Sequence, residues 1–431
     1  MVQAWVIMEP IGRCLRKVLG LLGSMVGTTP TSNKQPSRNS EDKSSTQSVT
    51  TADPAYRNSW TENLITFRVC GIPGGCSREQ TSRILRELLL EVEDHENLEI
   101  QSLASSYDGL TQVATIRFDK IPEVLEGFPV RTEWHFTDSM FRSGESVITL
   151  DTHFLGLTIL YTPNAPLEPV ADLIAISGIG SHAFGSFKER GGQYMWLRDS
   201  LPTDFRRFRI SVYGYQSRLD KELSARTVPE FSSKFLQHLT QLTMSKPNLP
   251  LIFVTHSFGG IVVKEALVQI SRRPMDEQTN SILSNVLGIL AFAVPSTGLD
   301  IESLLPIVRG GRNEAFLRSL EPGAEYLKDL NREWEALIQS RNIVIFAFYE
   351  LLDSPTAKQL PDGQWRMAGP AAKLVRRESA VHGVKDSHIT PINQNHSNVI
   401  KFEKRDETYN KVRDMLDTLT AKTSECEIVY K

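Results

Sequence analysis

The chain has 431 residues, room for two domains and a tail. At 40% hydrophobic residues and a net charge of −3 it is too apolar for a disordered chain and too near neutrality for a partner chosen by bulk charge. Four scattered cysteines, Cys14, Cys70, Cys76 and Cys426, exclude a disulfide framework and a cysteine-built zinc site, so a reducing compartment is expected.

Residues 1–28 are apolar but carry Glu9, Arg13, Arg16 and Lys17, which argues against a membrane span. Ile11, Leu15, Val18, Leu19, Leu22 and Val26 recur at helical spacing, and Glu9 is the only acid before Glu41. A basic amphipathic helix followed by a Ser/Thr-rich stretch is the pattern of organelle presequences and membrane-surface anchors. Residues 29–55 lack aromatics and, Val49 apart, large aliphatics, and read as a disordered linker. Residues 1–59 are therefore expected to be a disordered segment with a candidate targeting helix.

Residues 60–150 read as a small α+β domain. "LITFRVCGIP" is a strand into a Gly/Pro turn, and "SREQTSRILRELLLEVED" an amphipathic helix capped by Ser77 or Thr81. "LEIQSLASS" and "QVATIRFD" are strands, "IPEVLEGF" a short helix, and "ESVITLDTHF" a last strand. This β-α-β-β-α-β order predicts a ferredoxin-like sandwich with the topology of an RNA-recognition motif. RNA binding on that fold needs aromatics on the central strands, but Arg68, Val113 and Thr115 occupy those positions. The segment also holds eight Lys/Arg against fifteen Asp/Glu, which repels phosphate. No nucleic-acid partner is expected; a protein-interaction or regulatory cap is.

Residues 151–425 read as a second domain. "ADLIAISGIG", "RFRISVYGY", "LPLIFVTHS", "VLGILAFAVP", "NIVIFAFYE" and "AAKLVRRESAV" are apolar runs. Helical stretches such as "VPEFSSKFLQHLTQLTMS" and "FGGIVVKEALVQISRR" separate most of them, and a final helix begins near Asp406. Continuous apolar strands alternating with helices predict a mostly parallel sheet covered on both faces. Sites on such sheets lie beyond the carboxyl ends of the strands.

In "LPLIFVTHSFGGIVVKEAL" an apolar strand turns into a helix at Ser257. A serine on a tight strand-to-helix turn adopts a strained backbone that exposes its hydroxyl. The backbone N–H of the next residue, here Phe258, can stabilise an oxyanion. Gly259 takes the last place of the G-x-S-x-G elbow of α/β-hydrolases, with Gly260 just beyond it, whereas Thr255 stands where the first glycine belongs. The ordinary alternative is a polar helix cap. In α/β-hydrolases the chain order is Ser, acid, His. His382, His388 and His396 all follow Ser257; Glu350 ends "NIVIFAFYE" and Asp353 follows three residues later. Position alone does not separate the histidines, but Glu350 directly closes the apolar run and should emerge at the carboxyl edge, whereas Asp353 lies past Leu351 and Leu352.

The ordered motifs "ADLIAISGIGSHAFGSFK", "MWLRDSLP", "YGYQS", "THSFGGIVVKEAL", "AFYE", "ESA" and "NHSNVIKF" resemble the lipase-like α/β-hydrolases of the serine-active-site-containing protein family. Fungal members with an N-terminal domain are the nearest match, and the resemblance covers about residues 60–410. It implies an α/β-hydrolase fold and ester or lipid-acyl hydrolysis, with Ser257 as nucleophile, His396 as base and Glu350 as acid. Gly178 and Ile179 would belong to the oxyanion hole. It also implies an intracellular, cytoplasmic or peripheral location at mitochondrial or endoplasmic-reticulum membrane. Four positions depart from the family pattern: Ser177 before Gly178, Thr255 before His256, Ser296 after Pro295, and Asn395 before His396. They motivate a second reading, a catalytically weak hydrolase-fold module for signalling or protein interaction. "GIGSHAFG" lacks dinucleotide spacing and no P-loop occurs, so no cofactor and no metal is expected.

Overall fold

The computed structural model describes residues 65–90, 97–137, 147–164, 166–216, 226–273, 277–302, 304–361 and 365–429. The expected targeting helix and linker, residues 1–59, lie outside the described residues.

The small sheet comprises β1 (Phe67–Pro73), β2 (Leu98–Ser105), β3 (Thr111–Phe118), β4 (Glu133–Thr137) and β5 (Val147–Asp151), in the order β2-β3-β1-β5-β4. All neighbouring pairs are antiparallel. The order β2-β3-β1-β5 is that of a ferredoxin-like sheet, and β4 is an added edge strand. The helix Arg78–Leu89 opens on a capping box, with Ser77 and Gln80 bonding each other's backbone N–H. It lays Leu85 and Leu89 on Phe67, Val69 and Ile116.

The expected second helix over 121–128 is a run of turns. So short a segment forms a helix only if packing demands it. Here the Trp134 indole instead takes the carbonyl of Glu126 at 3.1 Å. The rings of Phe67, Phe118, Phe128 and Trp134 fill the space, with centroids 5.2–6.3 Å apart.

The main sheet adds β6 (Gly156–Tyr161), β7 (Ala171–Ile176), β8 (Phe208–Gly214), β9 (Leu251–His256), β10 (Val286–Phe292) and β11 (Val344–Glu350). A hairpin of β12 (Ser354–Gln359) and β13 (Trp365–Ala372) then precedes the last strand, β14 (Ile389–Ile392). The order is β14-β11-β10-β9-β7-β8-β6, parallel throughout except for β6 on β8. Every residue of β7, β8 and β9 is buried, as continuous apolar runs require.

Alternate residues serve opposite cores. Leu251 and Phe253 face the helices Val228–Met244, Phe258–Ser271 and Glu325–Arg341. Ile252 and Val254 face Trp196, Leu201 and the helix Glu407–Val429. The strand expected at "AAKLVRRESAV" is corrected: β13 ends at Ala372, and Arg377–Ala380 is one helical turn. Leu374 and Val375 are buried by packing, not by a place in the main sheet.

The two sheets belong to one compact unit, Asn58–Lys431. The central-strand face of the small sheet, where an RNA-recognition motif would carry rings, is turned onto β6 of the main sheet. Thr115 is buried and bonds Ser102 at 2.7 Å. Arg68 ion-pairs with Asp151 at 2.7 Å and donates to Leu155 O at 2.9 Å and to Thr158 Oγ1, on β6, at 2.7 Å.

Arg68 and Asp151 are both buried, so removing one partner strands a charge. Arg68→Met should lower unfolding stability by about 3 kcal/mol. Arg68→Met with Asp151→Asn should recover at least half of that loss, because the amide still accepts the N–H groups of His153 and Phe154 that Asp151 now holds. Urea unfolding of both variants is the measurement.

Candidate active site

Ser257 sits between β9 and the helix Phe258–Ser271 with φ +53° and ψ −129°, a left-handed backbone that L-residues avoid. Its own N–H holds this turn by donating to Phe292 O on β10 at 2.9 Å. The helix start passes so close to the sheet that side chains are excluded. A Cβ on Gly259 would lie 2.6 Å from the carbonyl oxygens of Ile176 and Ser177, and one on Gly260 2.3 Å from a methyl of Val294. Thr255, in the place of the pattern's first glycine, is fully buried and its hydroxyl finds no hydrogen-bond partner among the described residues.

The Ser257 hydroxyl lies 2.9 Å from His396 Nε2, and His396 Nδ1 lies 2.7 Å from Glu350 Oε2. With the ring proton on Nδ1 facing the carboxylate, Nε2 is left to accept from the serine. All three groups are buried, Glu350 at 3% exposure. The other Glu350 oxygen accepts the Val375 N–H at 3.2 Å, and the His396 N–H donates to Ser354 Oγ at 3.0 Å.

The alternative candidates lie elsewhere. Asp353 is half-exposed and ion-paired with Lys373 at 3.1 Å. His382 pairs with Glu335 at 3.3 Å. His388 bonds Ile345 O at 3.1 Å, at the opposite end of β11 from Glu350.

Gly178 approaches the serine closely: a Cβ there would lie 2.8 Å from Ser257 Cβ and 3.2 Å from its hydroxyl oxygen. Ile179 is half-buried against the helix-side core. Phe258 is the first helical residue, where backbone N–H groups lack intrahelical partners. Its ring packs among Tyr215, Phe231 and Phe316, with centroids 5.3–6.2 Å away.

Three further residues hold this arrangement. Tyr215 donates to Ser177 O at 2.7 Å, fixing the strand end ahead of Gly178. Ser354 holds the His396 backbone from β12. His256 donates from Nε2 to His396 O at 2.8 Å and so anchors the same loop from the elbow. Its ring is 5.0 Å from that of His396. The sequence offered a signal for His256 alone, its place next to Ser257; Tyr215 and Ser354 become neighbours of the site only by topology. Among the described residues, no group of three or more His, Cys, Asp or Glu is poised to hold a metal.

The strand order, the strained serine at the end of β9 and the relay across the carboxyl edge define an α/β-hydrolase fold. No family model matches the chain. Over 280 residues it is 24% identical to Protein SERAC1 of Bos taurus, a stretch of 59% of this chain and 40% of that protein. With Protein SERAC1 of Homo sapiens it is 22% identical over 275 residues, 58% of this chain and 39% of that one. The chain thus matches about two fifths of the length of these curated relatives. Among solved structures, the mature Bacillus licheniformis lipase BlEst2 is 11% identical, with a TM-score of 0.38, over 60% of this chain and 97% of that one. Phospholipase PlaB from Legionella pneumophila is 16% identical, with a TM-score of 0.32, over 42% and 39%.

Burial, then the neighbouring His396 and Lys401, hold the His256 imidazole down to about 3, far below the usual 6.5. The folded protein keeps it neutral while the unfolded chain binds a proton near pH 6.5. Its contribution to stability is therefore whole above pH 6.5 and lost as pH falls from 6.5 toward 3. In His256→Gln, whose amide can still donate to His396 O, the fall in Tm between pH 6 and 4 should become shallower. Thermal unfolding across that range is the measurement; an unchanged slope would contradict the neutral assignment.

Proposed function

We propose that the protein is a serine hydrolase of carboxylic or lipid-acyl esters. Ser257 is the nucleophile, His396 the general base and Glu350 the acid that orients it. The observation that carries this reading is the buried relay of 2.9 and 2.7 Å ending on a serine with φ +53°. Those distances lie within the reach that general-base activation of a hydroxyl needs.

In this reading Ser257 Oγ attacks the ester carbonyl carbon and its proton passes to His396 Nε2. The carbonyl oxygen becomes an oxyanion, met by backbone N–H groups of the 178–179 loop and of Phe258. Glu350 keeps the Nδ1 proton in place and stabilises the imidazolium. Collapse breaks the ester C–O bond, and the leaving alkoxide takes the proton from His396. Water, deprotonated by the same ring, then releases the acid from the acyl-serine.

The chain is also proposed to be of the fungal type of the serine-active-site-containing family, with the small sheet as its N-terminal domain. The proposed location is cytoplasmic or peripheral at mitochondrial or endoplasmic-reticulum membrane. No helix among the described residues is long and apolar enough to cross a membrane. Leu351 and Leu352, each 47% exposed, directly follow Glu350 at the edge that carries the site, which supports contact with a lipid surface. A protein partner of residues 60–150 would have to use surface other than the central-strand face, which β6 occupies. Thr255 in the place of the pattern's first glycine, its buried hydroxyl without a partner among the described residues, motivates a second reading, a catalytically weak module for signalling or protein interaction.

A fluorophosphonate should label the protein once, and Ser257→Ala should abolish the label. Labelling that survives would place the nucleophile elsewhere; a wild type that never labels supports the weak module. With p-nitrophenyl butyrate, Glu350→Gln should lower kcat by up to ~10⁴-fold, whereas Asp353→Asn should stay within about twofold of wild type.

A further inference from the structure

The loop after β7, which carries Gly178 and Ile179, is anchored at its far end by His182. The two backbone N–H groups of Phe184 and Gly185 donate to His182 Nδ1 at 3.2 and 2.9 Å. That leaves the ring proton on Nε2, which donates to the carbonyl of Thr152 at 2.6 Å. Thr152 lies in the short hinge between β5, the last strand of the small sheet, and β6. His182 keeps solvent-exposed surface, while its ring stands edge-on to the buried Phe154 of the hinge at 5.4 Å and burial holds its imidazole below the usual range.

The hinge is tied down by bonds rooted in the small sheet. Asp151 Oδ1 accepts the N–H groups of His153 and Phe154 at 3.1 and 2.8 Å, while its other oxygen holds Arg68 of β1. Phe154 adopts φ +53°, and Arg68 also holds Leu155 O. Phe154 O lies where a Cβ on Gly214 would come within 1.9 Å, so the hinge rests on the end of β8. The next residue there, Tyr215, holds Ser177 O. A second contact reinforces the first. Arg198 bonds Gln101 of β2 and stands over the Phe184 ring at 5.5 Å, and that ring packs on Phe154 at 5.2 Å.

We propose that His182 is a positioning residue: through Thr152 O it lets the small sheet set the loop that brings Gly178 against Ser257. The small domain is then part of the site's framework. The kinetic consequence rests on the ester-hydrolase reading above; the anchoring does not.

The test separates the two ring nitrogens. Asn at 182 can mimic Nδ1 and keep the local bonds from residues 184 and 185 but cannot reach Thr152 O. Gln places its amide near the Nε2 position and can keep that bond. The experiment uses the full chain, with Tm measured for every variant. His182→Asn should lower kcat on p-nitrophenyl butyrate about 10–100-fold with KM within about twofold, as a displaced loop requires. Amide exchange over residues 178–186 should quicken about tenfold, with Tm little changed. His182→Gln should stay near wild type in both.

The reverse ranking, with Asn near wild type and Gln impaired, would make His182 a local turn cap and overturn the proposal, as would two variants that both match wild type. If the wild type neither turns over ester nor labels at Ser257, the hydrolase reading falls. Exchange alone then decides: fast in Asn and slow in Gln upholds the anchor, and equal rates sink it.

Discussion

The helix Phe258–Ser271 leaves β9 so steeply that its first turn touches the ends of both neighbouring strands. Gly259 lies on the carbonyls of Ile176 and Ser177 at the end of β7, and Gly260 on Val294 just past β10. Any side chain at either position would push the helix off the sheet. The approach forces Ser257 into its left-handed backbone, and its N–H bond to Phe292 O holds that strain. The rest of the helix is buried nearly all round, from Phe258 to Val268, as a central helix must be. It is packed too tightly to relax the turn.

With the serine fixed, its partners must be brought from far along the chain. Glu350 ends β11, two strands from β9, and His396 follows β14, one strand further out. Neither is a sequence neighbour of Ser257, and each is held by groups from other parts of the chain. Val375 N steadies Glu350; Ser354 and His256 steady the two ends of the His396 backbone unit. The hairpin β12–β13, inserted between Glu350 and His396, supplies Ser354 at its first residue and leads to Val375 just past its last. An insertion that looks peripheral thus contributes two of the three supports.

What the sequence made legible follows from how burial is written in it. The strands β7 to β11 are largely covered on both faces, so they stand out as mostly apolar runs, broken on β7 and β8 by the buried pair Asp172–Arg209. The glycine-flanked serine at the end of one of them marks the elbow. β14 was hidden because it is four residues long and contains Pro391. The pair Leu374–Val375 imitated a strand because packing buries it without a place in the main sheet. The absent helix over 121–128 failed because propensity was all that spoke for it, and ring packing around Trp134 won. Among the site groups, the choice of Glu350 over Asp353 was visible in the strand end, since a residue closing an apolar run emerges at the carboxyl edge. The roles of Tyr215, Ser354 and His182 were not, because each acts through a backbone carbonyl or N–H of a residue remote in sequence.

The small sheet shows what a familiar topology becomes when one face is reassigned. Arg68, Val113 and Thr115 stand on strand positions where rings would stack on bases, and here that face is turned inward. A buried guanidinium needs its charge met and its donors satisfied. Asp151, directly opposite Arg68 across the β1–β5 pair, meets the charge, and Leu155 O and Thr158 take the donors. A slip of one residue between β1 and β5 would carry Arg68 into the apolar core beside Phe118 and expel Phe67 onto the polar face. The ion pair therefore adds little net stability compared with an apolar pair of the same shape, yet its loss on mis-pairing is severe. Its physical work is to specify one register for the sheet and one seat for the sheet on β6. The hinge that continues from Asp151 inherits that fixed position, which is what makes Thr152 O a dependable point for a surface histidine to grip.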